Sequence, residues 1–573
     1  MNMEKNWVIK EQGNDEEVNA LSNALGVDKT IANLLIQRNI KSFEEARAFF
    51  RPDLSDLHDP YLMKDMDLAV SRILQAEASG EKVMIYGDYD VDGTTAVALI
   101  YKFLKNFFTA LDYYIPDRYD EGYGISIKGI DYAAEMGYSL IIALDCGIKS
   151  VNKVAYARER GIDFIICDHH NPGEEIPGAV AVLDAKRDDC NYPYKELSGC
   201  GVGFKLIQAY AQQKGLPFED VKPYLDLVVV SIASDIVPIT GENRVLAYFG
   251  LKQLNENPST GLKAIIDIAG GNQKEFNIED IVFKIGPRIN AAGRMESGKM
   301  AVDLLINEEP VEARILGEKI NINNRDRRSI DLEITKQALE MIRSDTALQQ
   351  RNCTVLYNPE WHKGVIGIVA SRLMDYYYRP TVILTRSNGM ATGSARSVNG
   401  FDLYQAVEAC SDLLENFGGH KYAAGLTMKL KNLKKFTERF EEYVSDNIHP
   451  DQLIPVVEID TEIPLSKVDE KFFRILKQFR PFGPDNMAPV FLTENVVDNG
   501  CGKIVGANGE HLKLALVQED NPFRFFPAIA FQQGTVFEKI MNGKAFDICY
   551  SIEENAFRGD VSIQLNIKDI KLD

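Results

Sequence analysis

Residues 85–95 read IYGDYDVDGTT, which sets Asp88, Asp90 and Asp92 at alternate positions between an apolar run and the start of an amphipathic one. Carboxylates that close raise one another's pKa unless a cation neutralises them, so the stretch asks for a metal, a strong base or bulk solvent. Acids recur at comparable places further on. The run SLIIAL leads into Asp145, with Cys146 and Gly147 making the turn, and DFIIC leads into Asp168, His169 and His170. Asp235 follows LDLVVVSIAS and precedes Val237 and Pro238, where a buried helix must stop. Taken singly, an aspartate after a strand is a turn or helix-cap residue, and a DHH triplet in a loop is solvated. Taken together, several acids and two histidines converging on one sheet edge, with no matching basic cluster, are electrostatically costly without a cation.

The donor set narrows the ion. Carboxylates dominate and no cysteine has a natural place, so Mn2+ or Mg2+ fits better than structural zinc, and the imidazole tilts the choice toward Mn2+. The ligands exceed the needs of one ion. Two ions roughly 3.5 to 4 Å apart, bridged by a shared carboxylate, activate water and stabilise both oxygens of an in-line phosphoryl displacement. Such a site hydrolyses phosphate esters or anhydrides.

The elements that must carry these residues follow from hydrophobic period. Between 82 and about 300, β-rich runs alternate with helical patterns: KVMIY then TTAVALIYKFLKNF, SLIIAL then a helical stretch, DFIIC, then AVAVLD. That alternation predicts a doubly wound α/β domain with a largely parallel sheet, whose ligands bind at the carboxyl ends of the strands. Before it, VNALSNALGV, TIANLLIQRNI and SFEEARAFF have helical spacing, with Ser42 as an N-cap. Residues 311–346 read as one long helix linking two domains. A smaller α/β region runs from TVLYN through PTVILT to about 448, and the tail alternates as strands do, as in VSIQLNIK at 561–568. The expected division is a helical lead-in at 1–75, a catalytic α/β domain at 76–305, the linking helix at 306–348, a second α/β domain at 349–450 and a β-barrel or sandwich at 451–573.

Bulk properties agree. A chain of 573 residues with 45% hydrophobic content is too long for one core. No apolar run reaches the roughly 18 residues of a membrane span, and the start has no signal-peptide core, so a cytoplasmic location is expected. The eight cysteines form no C-x-x-C pair, which points to reduced, mostly core thiols. A formal charge of -20 disfavours indiscriminate coating of nucleic acid but leaves room for one basic groove.

The blocks GDYDVDGTT, ALDCG, CDHH and ASDIVP resemble the ordered motifs of the DHH phosphoesterase superfamily, and FGGHKYAAG at 417–425 resembles the glycine-rich signature of its DHHA1 domain. GPRINAAGR at 286–294 and WHKGVIGIVASR at 361–372 are similar to the RecJ family of single-strand-specific 5′→3′ DNA exonucleases, as are the helical lead-in and the β-rich tail. The resemblance implies that Asp90 and Asp145 hold one ion, and that Asp92, Asp145, His169 and Asp235 hold the other. His170 then faces the scissile phosphate, and Asp88 and Asp168 orient ligands or water. Tyr86 departs from branches of the superfamily that place a metal-binding histidine there, which implies a weaker first site. Arg118, Arg288, Ser394 and Arg396 sit inside matching blocks and can donate to phosphate oxygens, Arg in bidentate fashion. Gly418 and Gly419 allow close backbone approach, with His420 as a further donor, although a Gly-Gly after a helix is equally a C-cap.

At the entry to the tail, Pro484, Asp485, Asn486 and Met487 stand where RecJ relatives carry a Gly-Asn-Pro turn. An OB-like tail would stack bases on aromatic platforms, for which Phe523, Phe525 and Phe526 are candidates and core packing the alternative. The implied function is removal of 5′-mononucleotides from single-stranded DNA in repair and recombination. The implied chain is a monomer assisted by a single-strand-binding protein and a helicase, without membrane contact. Two other readings are a DHH phosphodiesterase of oligonucleotides or cyclic dinucleotides, whose chains lack the lead-in and long tail, and a noncatalytic replication scaffold, which predicts eroded carboxylates.

Overall fold

A computed structural model describes residues 3–270, 275–518, 524–541, 543–557 and 560–572. The chain forms two compact units. One comprises Glu44–Arg327 with Phe479–Met487, and the other comprises the residues up to Phe43, Arg328–Gln478 and the chain from Ala488 onward.

The first unit is built on five parallel strands in the order Leu111–Tyr114, Val83–Gly87, Leu140–Leu144, Asp163–Cys167, Ala181–Leu183. Every residue of VMIYG and LIIAL is buried because helices cover both faces, so these strands read as unbroken apolar runs. Val83, Ile85, Leu140, Ile142 and Leu144 enter a core with helices Val91–Leu104, Gly199–Gln213 and Leu225–Ser234. Met84, Tyr86, Ile141 and Ala143 enter the opposite one with Ile127–Met136 and Val151–Glu159. The doubly wound expectation holds. Strand Leu111–Tyr114 was not foreseen: LDYY is only half-buried at the sheet edge and lacks an apolar run. Numbered within the sheet, the strand order is 2-1-3-4-5, so its direction reverses between Val83–Gly87 and Leu140–Leu144. The crevice at that reversal is where open α/β sheets bind ligands.

In the second unit, helices Asp15–Leu25 and Lys29–Ile36 match the helical lead-in. The lead-in is not purely helical, however, because Asn6–Ile9 forms a strand parallel to Val456–Ile459. Four residues carry no readable period, and the strand owes its existence to a distant partner and to the Trp7 indole, which donates to Asp569 at 2.8 Å. Helix Pro310–Ser344, of which the part up to Arg327 belongs to the first unit and the rest to the second, spans nearly the predicted segment. Its Ile334, Ala338, Leu339 and Ile342 pack with Trp361, Val365 and Val369. A second five-stranded sheet runs Asn416–His420, Ala423–Lys429, Met390–Arg396, Thr381–Ser387, Thr354–Tyr357.

The tail closes on itself. Phe491–Asp498 pairs with both His511–Gln518 and Phe546–Phe557, and the ring is completed through Asp560–Leu572 and Phe526–Ala530. This five-stranded circuit is the OB barrel, with Leu512, Leu514, Leu516, Ala528, Ala530, Leu565 and Ile567 filling it. Among the described residues no helix is long and apolar enough to cross a membrane. Seven cysteines are buried and Cys501 is exposed.

The segment RPFGPDNM does not begin the barrel, since Phe479–Met487 belongs to the first unit. In it Asp485 adopts φ 57°, and the Asn486 amide donates to the carbonyls of Phe479 and Pro481 at 2.9 and 2.8 Å. The buried Arg244 guanidinium lies 3.7 Å over the Phe49 ring and donates to the carbonyls of Phe49, Phe479 and Arg480. Arg244→Met takes the guanidinium donors from the Phe49 and Arg480 carbonyls, while Phe479 O keeps the Asn486 amide. Urea unfolding is expected to show a loss on the order of 3 kcal/mol, at about 1–3 kcal/mol for each uncompensated group after partial relaxation.

Candidate metal centre and nucleic-acid interface

Each acid is delivered by the element the pattern assigned to it. Asp88 ends the first strand, and Asp90 caps helix Val91–Leu104, accepting the Gly93 N–H at 3.0 Å. In the first turn of that helix, Asp92 accepts the N–H groups of Gly199 and Cys200 at 2.7 and 2.8 Å and the Ser231 hydroxyl at 2.7 Å. It thus caps helix Gly199–Gln213 from outside, using the positive end of that helix to hold a carboxylate in place. Asp145 turns the chain out of its strand at φ 57°, a left-handed conformation that Asp tolerates, and its N–H donates to Cys167 O at 2.8 Å. Asp235 stands at the C-terminal end of Leu225–Ser234.

These groups meet around one imidazole. His169 Nε2 lies 3.1 Å from Asp145 Oδ1, 3.6 Å from Asp92 Oδ2 and 3.6 Å from Asp235 Oδ2. Both His169 ring nitrogens and Asp145 Oδ1 are buried without a hydrogen-bond partner. Burial lowers the His169 pKa, leaving a neutral ring with a lone pair to share. Burial, with neighbouring carboxylates second, pushes Asp145 and Asp90 upward and Asp235 to about 8. Orphaned donor atoms, a neutral imidazole and acids that resist ionisation together fit a divalent cation of the hard, oxygen-preferring class. Asp92, His169 and Asp235 converge on one position, and Asp145 with His169 and His170 on another.

The remaining predicted groups have distinct settings. Asp168 accepts the N–H groups of Ile148 and His169 and the His170 Nδ1–H, at 2.9, 2.8 and 2.7 Å. Burial alone would raise its pKa, but these bonds outweigh it and bring the group to about 2. Burial likewise opposes charge on His170, yet Asp168 and the other acids outweigh it and lift the pKa to about 9. Asp88 is buried, accepts the Gly124 N–H at 3.3 Å and feels the charge of Arg118. Arg118 itself lies 4.9 Å from the Tyr89 ring centroid. Tyr86 points elsewhere: its hydroxyl donates to Gly124 O at 3.0 Å and accepts the Ser126 N–H at 3.1 Å, which fixes the loop carrying Tyr123.

Arg288 lies on Gly286–Met295 and is engaged with Asn321 and the Lys284 carbonyl at 3.2 and 2.6 Å. In the second unit, Arg396 donates to Ser394 at 2.9 Å on one strand face, opposite Gly367 of the block WHKGVIGIVASR. Gly418, Gly419 and His420 do not follow a helix. They form an edge strand, so the C-cap alternative falls, and Gly418 stands in register with Gly425 where a side chain at either would meet open space. Gly419 has a φ of 148°, and an added Cβ would lie 2.2 Å from Ala423 O, so glycine fits there on both counts. Phe526 is buried and Phe525 is 59% exposed, while Phe523 lies outside the described residues.

Sequence reasoning missed three groups. Tyr123 bonds His170 Nε2 at 3.1 Å and Asp145 O at 3.2 Å; its place in PDRYDEGYG, beside Arg118, was the available signal. Ser231 gave none, being one hydroxyl within an apolar helix. Asp184 ends the fifth strand, buried, with its pKa raised to about 7 by burial.

Comparison with known proteins accounts for this arrangement. Residues 82–232 match the DHH family N-terminal domain, 350–446 the DHHA1 domain and 459–569 the RecJ OB domain. The single-stranded-DNA-specific exonuclease RecJ of Bacillus subtilis is 37% identical over 98% of this chain and 70% of its own length. The chain belongs to the RecJ family. The RecJ of Haemophilus influenzae is 32% identical over 90% of this chain and 92% of its own. Among solved structures, Thermus thermophilus RecJ in complex with Mn2+ matches 99% of this chain and 80% of its own, with a TM-score of 0.84 at 26% identity. A manganese-bound RecJ exonuclease matches 70% of this chain and 98% of its own, with a TM-score of 0.60 at 30% identity.

Gly199 allows the RecJ acids to approach. A Cβ there would stand 2.7 Å from Asp145 Cβ and 2.8 Å from its Oδ1, whereas one at Gly203, on the same helix, meets ordinary contacts of 3.5 Å and beyond. Gly199→Ala is expected to weaken Mn2+ binding by roughly tenfold or more, the scale for disturbing a ligand's support, and Gly203→Ala to leave it unchanged. Titration calorimetry with both variants, checked for folding by circular dichroism, decides the point.

Proposed function

We propose that the chain is a cytoplasmic, single-strand-specific 5′→3′ exodeoxyribonuclease that releases 5′-mononucleotides with two divalent cations, Mn2+ or Mg2+. The observation that carries this is the convergence of three carboxylates on the partnerless His169 Nε2 at the sheet reversal. A noncatalytic scaffold has no use for such a cluster. Family membership and the OB barrel supply the substrate class, because relatives are named for single-stranded DNA.

Asp90 and Asp145 would hold one ion, and Asp92, Asp145, His169 and Asp235 the other. When bound, such ions activate water and offset charge on the phosphoryl oxygens. His170, charged through Asp168 and oriented by Tyr123, would donate to a nonbridging oxygen of the scissile phosphate, and Asp88 would steady Arg118 beside it. Residues 76–305 thus carry the chemistry. Ser394 and Arg396, with Gly418, Gly419 and His420, offer a phosphate cradle for the strand end within 349–450, and Arg288 is a further phosphate contact. The barrel within 451–573 would grip the strand without reading it, Phe525 offering an exposed stacking face. An enzyme confined to single strands depends on proteins that open and hold DNA, which supports a helicase and a single-strand-binding protein as partners of the monomer in repair and recombination.

Asp145→Ala is expected to abolish both ions and cut hydrolysis of a labelled single strand by roughly 10³-fold or more, since one carboxylate serves two centres. Asp88→Ala is expected to cost less, and normal turnover with full metal content in the Asp145 variant would refute the assignment. A terminal monophosphate carries more charge than an internal diester, and a guanidinium converts that difference into end choice. Arg396→Ala is therefore expected to narrow the advantage of 5′-phosphorylated over 5′-hydroxyl strands, with metal binding intact. An equal loss on both substrates would show a general backbone contact.

A further inference from the structure

Ile236 directly follows Asp235 and combines two unfavourable features. Its φ is 59°, in the left-handed region where a β-branched residue is a genuine outlier. Its side chain is also 63% exposed, so apolar surface stands in water. The neighbouring chain imposes the conformation from both sides. Ahead of it, the Asp235 N–H donates to Ser231 O at 2.9 Å. Behind it, Val237 is buried, and the Pro238 carbonyl accepts the Tyr194 hydroxyl and the Asn243 amide at 3.2 and 3.0 Å. The Ile239 N–H then donates to Pro484 O at 2.8 Å. Glycine or asparagine would follow the same path with little strain, so the strained residue is kept for its side chain.

We propose that Ile236 packs against the deoxyribose beside the scissile phosphate and so selects DNA over RNA; this rests on the exonuclease reading above. Asp235 Oδ2 lies 3.6 Å from His169 Nε2, so Ile236 begins one peptide from the reacting centre. Its short branched side chain reaches the sugar that adjoins the phosphate more readily than the base beyond it. Hydrocarbon complements C2′ of deoxyribose. A 2′-hydroxyl in that position would lose water against a surface with neither donor nor acceptor.

The test uses the full-length enzyme with Mn2+ on a DNA strand and on the same strand carrying one ribonucleotide at the cleaved position. In I236G and I236N the ratio of kcat/KM on DNA to that on the ribonucleotide strand is expected to fall by roughly tenfold, the low end of the range for one group against an apolar surface. Both variants are expected to melt at higher temperature than wild type, because the strain is relieved, and I236V to keep the wild-type ratio. A ratio unchanged in I236G and I236N, or lowered equally in I236V, overturns the proposal while leaving the exonuclease reading standing. Absence of DNA cleavage by the wild-type enzyme would instead overturn that reading, and this one with it.

Discussion

Mutual repulsion among the carboxylates at one edge of a parallel sheet is the constraint on which the rest of the structure depends. Asp88, Asp90, Asp92, Asp145 and Asp235 are buried or half-buried just past the carboxyl ends of two strands, at the start of helix Val91–Leu104 and at the end of helix Leu225–Ser234, places that a folding chain cannot rearrange. Left alone they hold protons or repel: burial first, and the neighbouring carboxylates second, raise the pKa values of Asp145, Asp90 and Asp235. A divalent ion resolves it by displacing protons and supplying the missing positive charge. The protein therefore spends its hydrogen-bonding capacity unevenly. Asp92 and Asp168 receive three or more donors each, while Asp145 Oδ1 and His169 Nε2 receive none and stay available.

That unevenness explains the roles within the paired histidines. His169 and His170 are neighbours in sequence with ring centroids 4.6 Å apart, yet their surroundings separate them. The His169 ring is buried with no hydrogen-bond partner at either nitrogen and is held neutral, a state that suits a ligand. His170 shares a proton with Asp168, leans on Tyr123 and is held charged, which suits an anionic substrate. Environment separates two identical side chains into a neutral ring and a charged one, the states that the proposed roles of metal ligand and phosphate donor require.

Much of this was legible in the amino-acid sequence because buried parallel strands leave unbroken apolar runs, and each run ended in the acid that the fold uses. The long helix was legible for a similar reason, its period persisting with no proline after Pro310 and one glycine, Gly317. What escaped notice depended on partners distant along the chain. Asn6–Ile9 is a strand only because Val456–Ile459 lies beside it, and Leu111–Tyr114 only because Val83–Gly87 does. The same holds for Gly418 and Gly419, which local pattern allows as a helix cap and which pairing with Ala423–Lys429 makes an edge strand. Tyr123 and Ser231 have no local signature at all, since their importance lies in where other elements bring His170 and Asp92.

Three devices position the reacting groups, and they differ in how easily each could change. Helix caps are cheap and local: Asp90 and Asp92 are fixed by N–H groups that any helix start provides. Close approach is stricter, since the absence of a side chain at Gly199 is what admits Asp145 to the cluster. Left-handed turns are strictest, because Asp145 and Ile236 adopt them without being glycine, each adjoining or forming part of the cluster. For Asp145 the carboxylate justifies the conformation, since glycine would turn the chain equally well and hold no cation. Ile236 has no such polar justification, and backbone strain at a reacting centre persists when the side chain it presents has work that a relaxed residue could not perform.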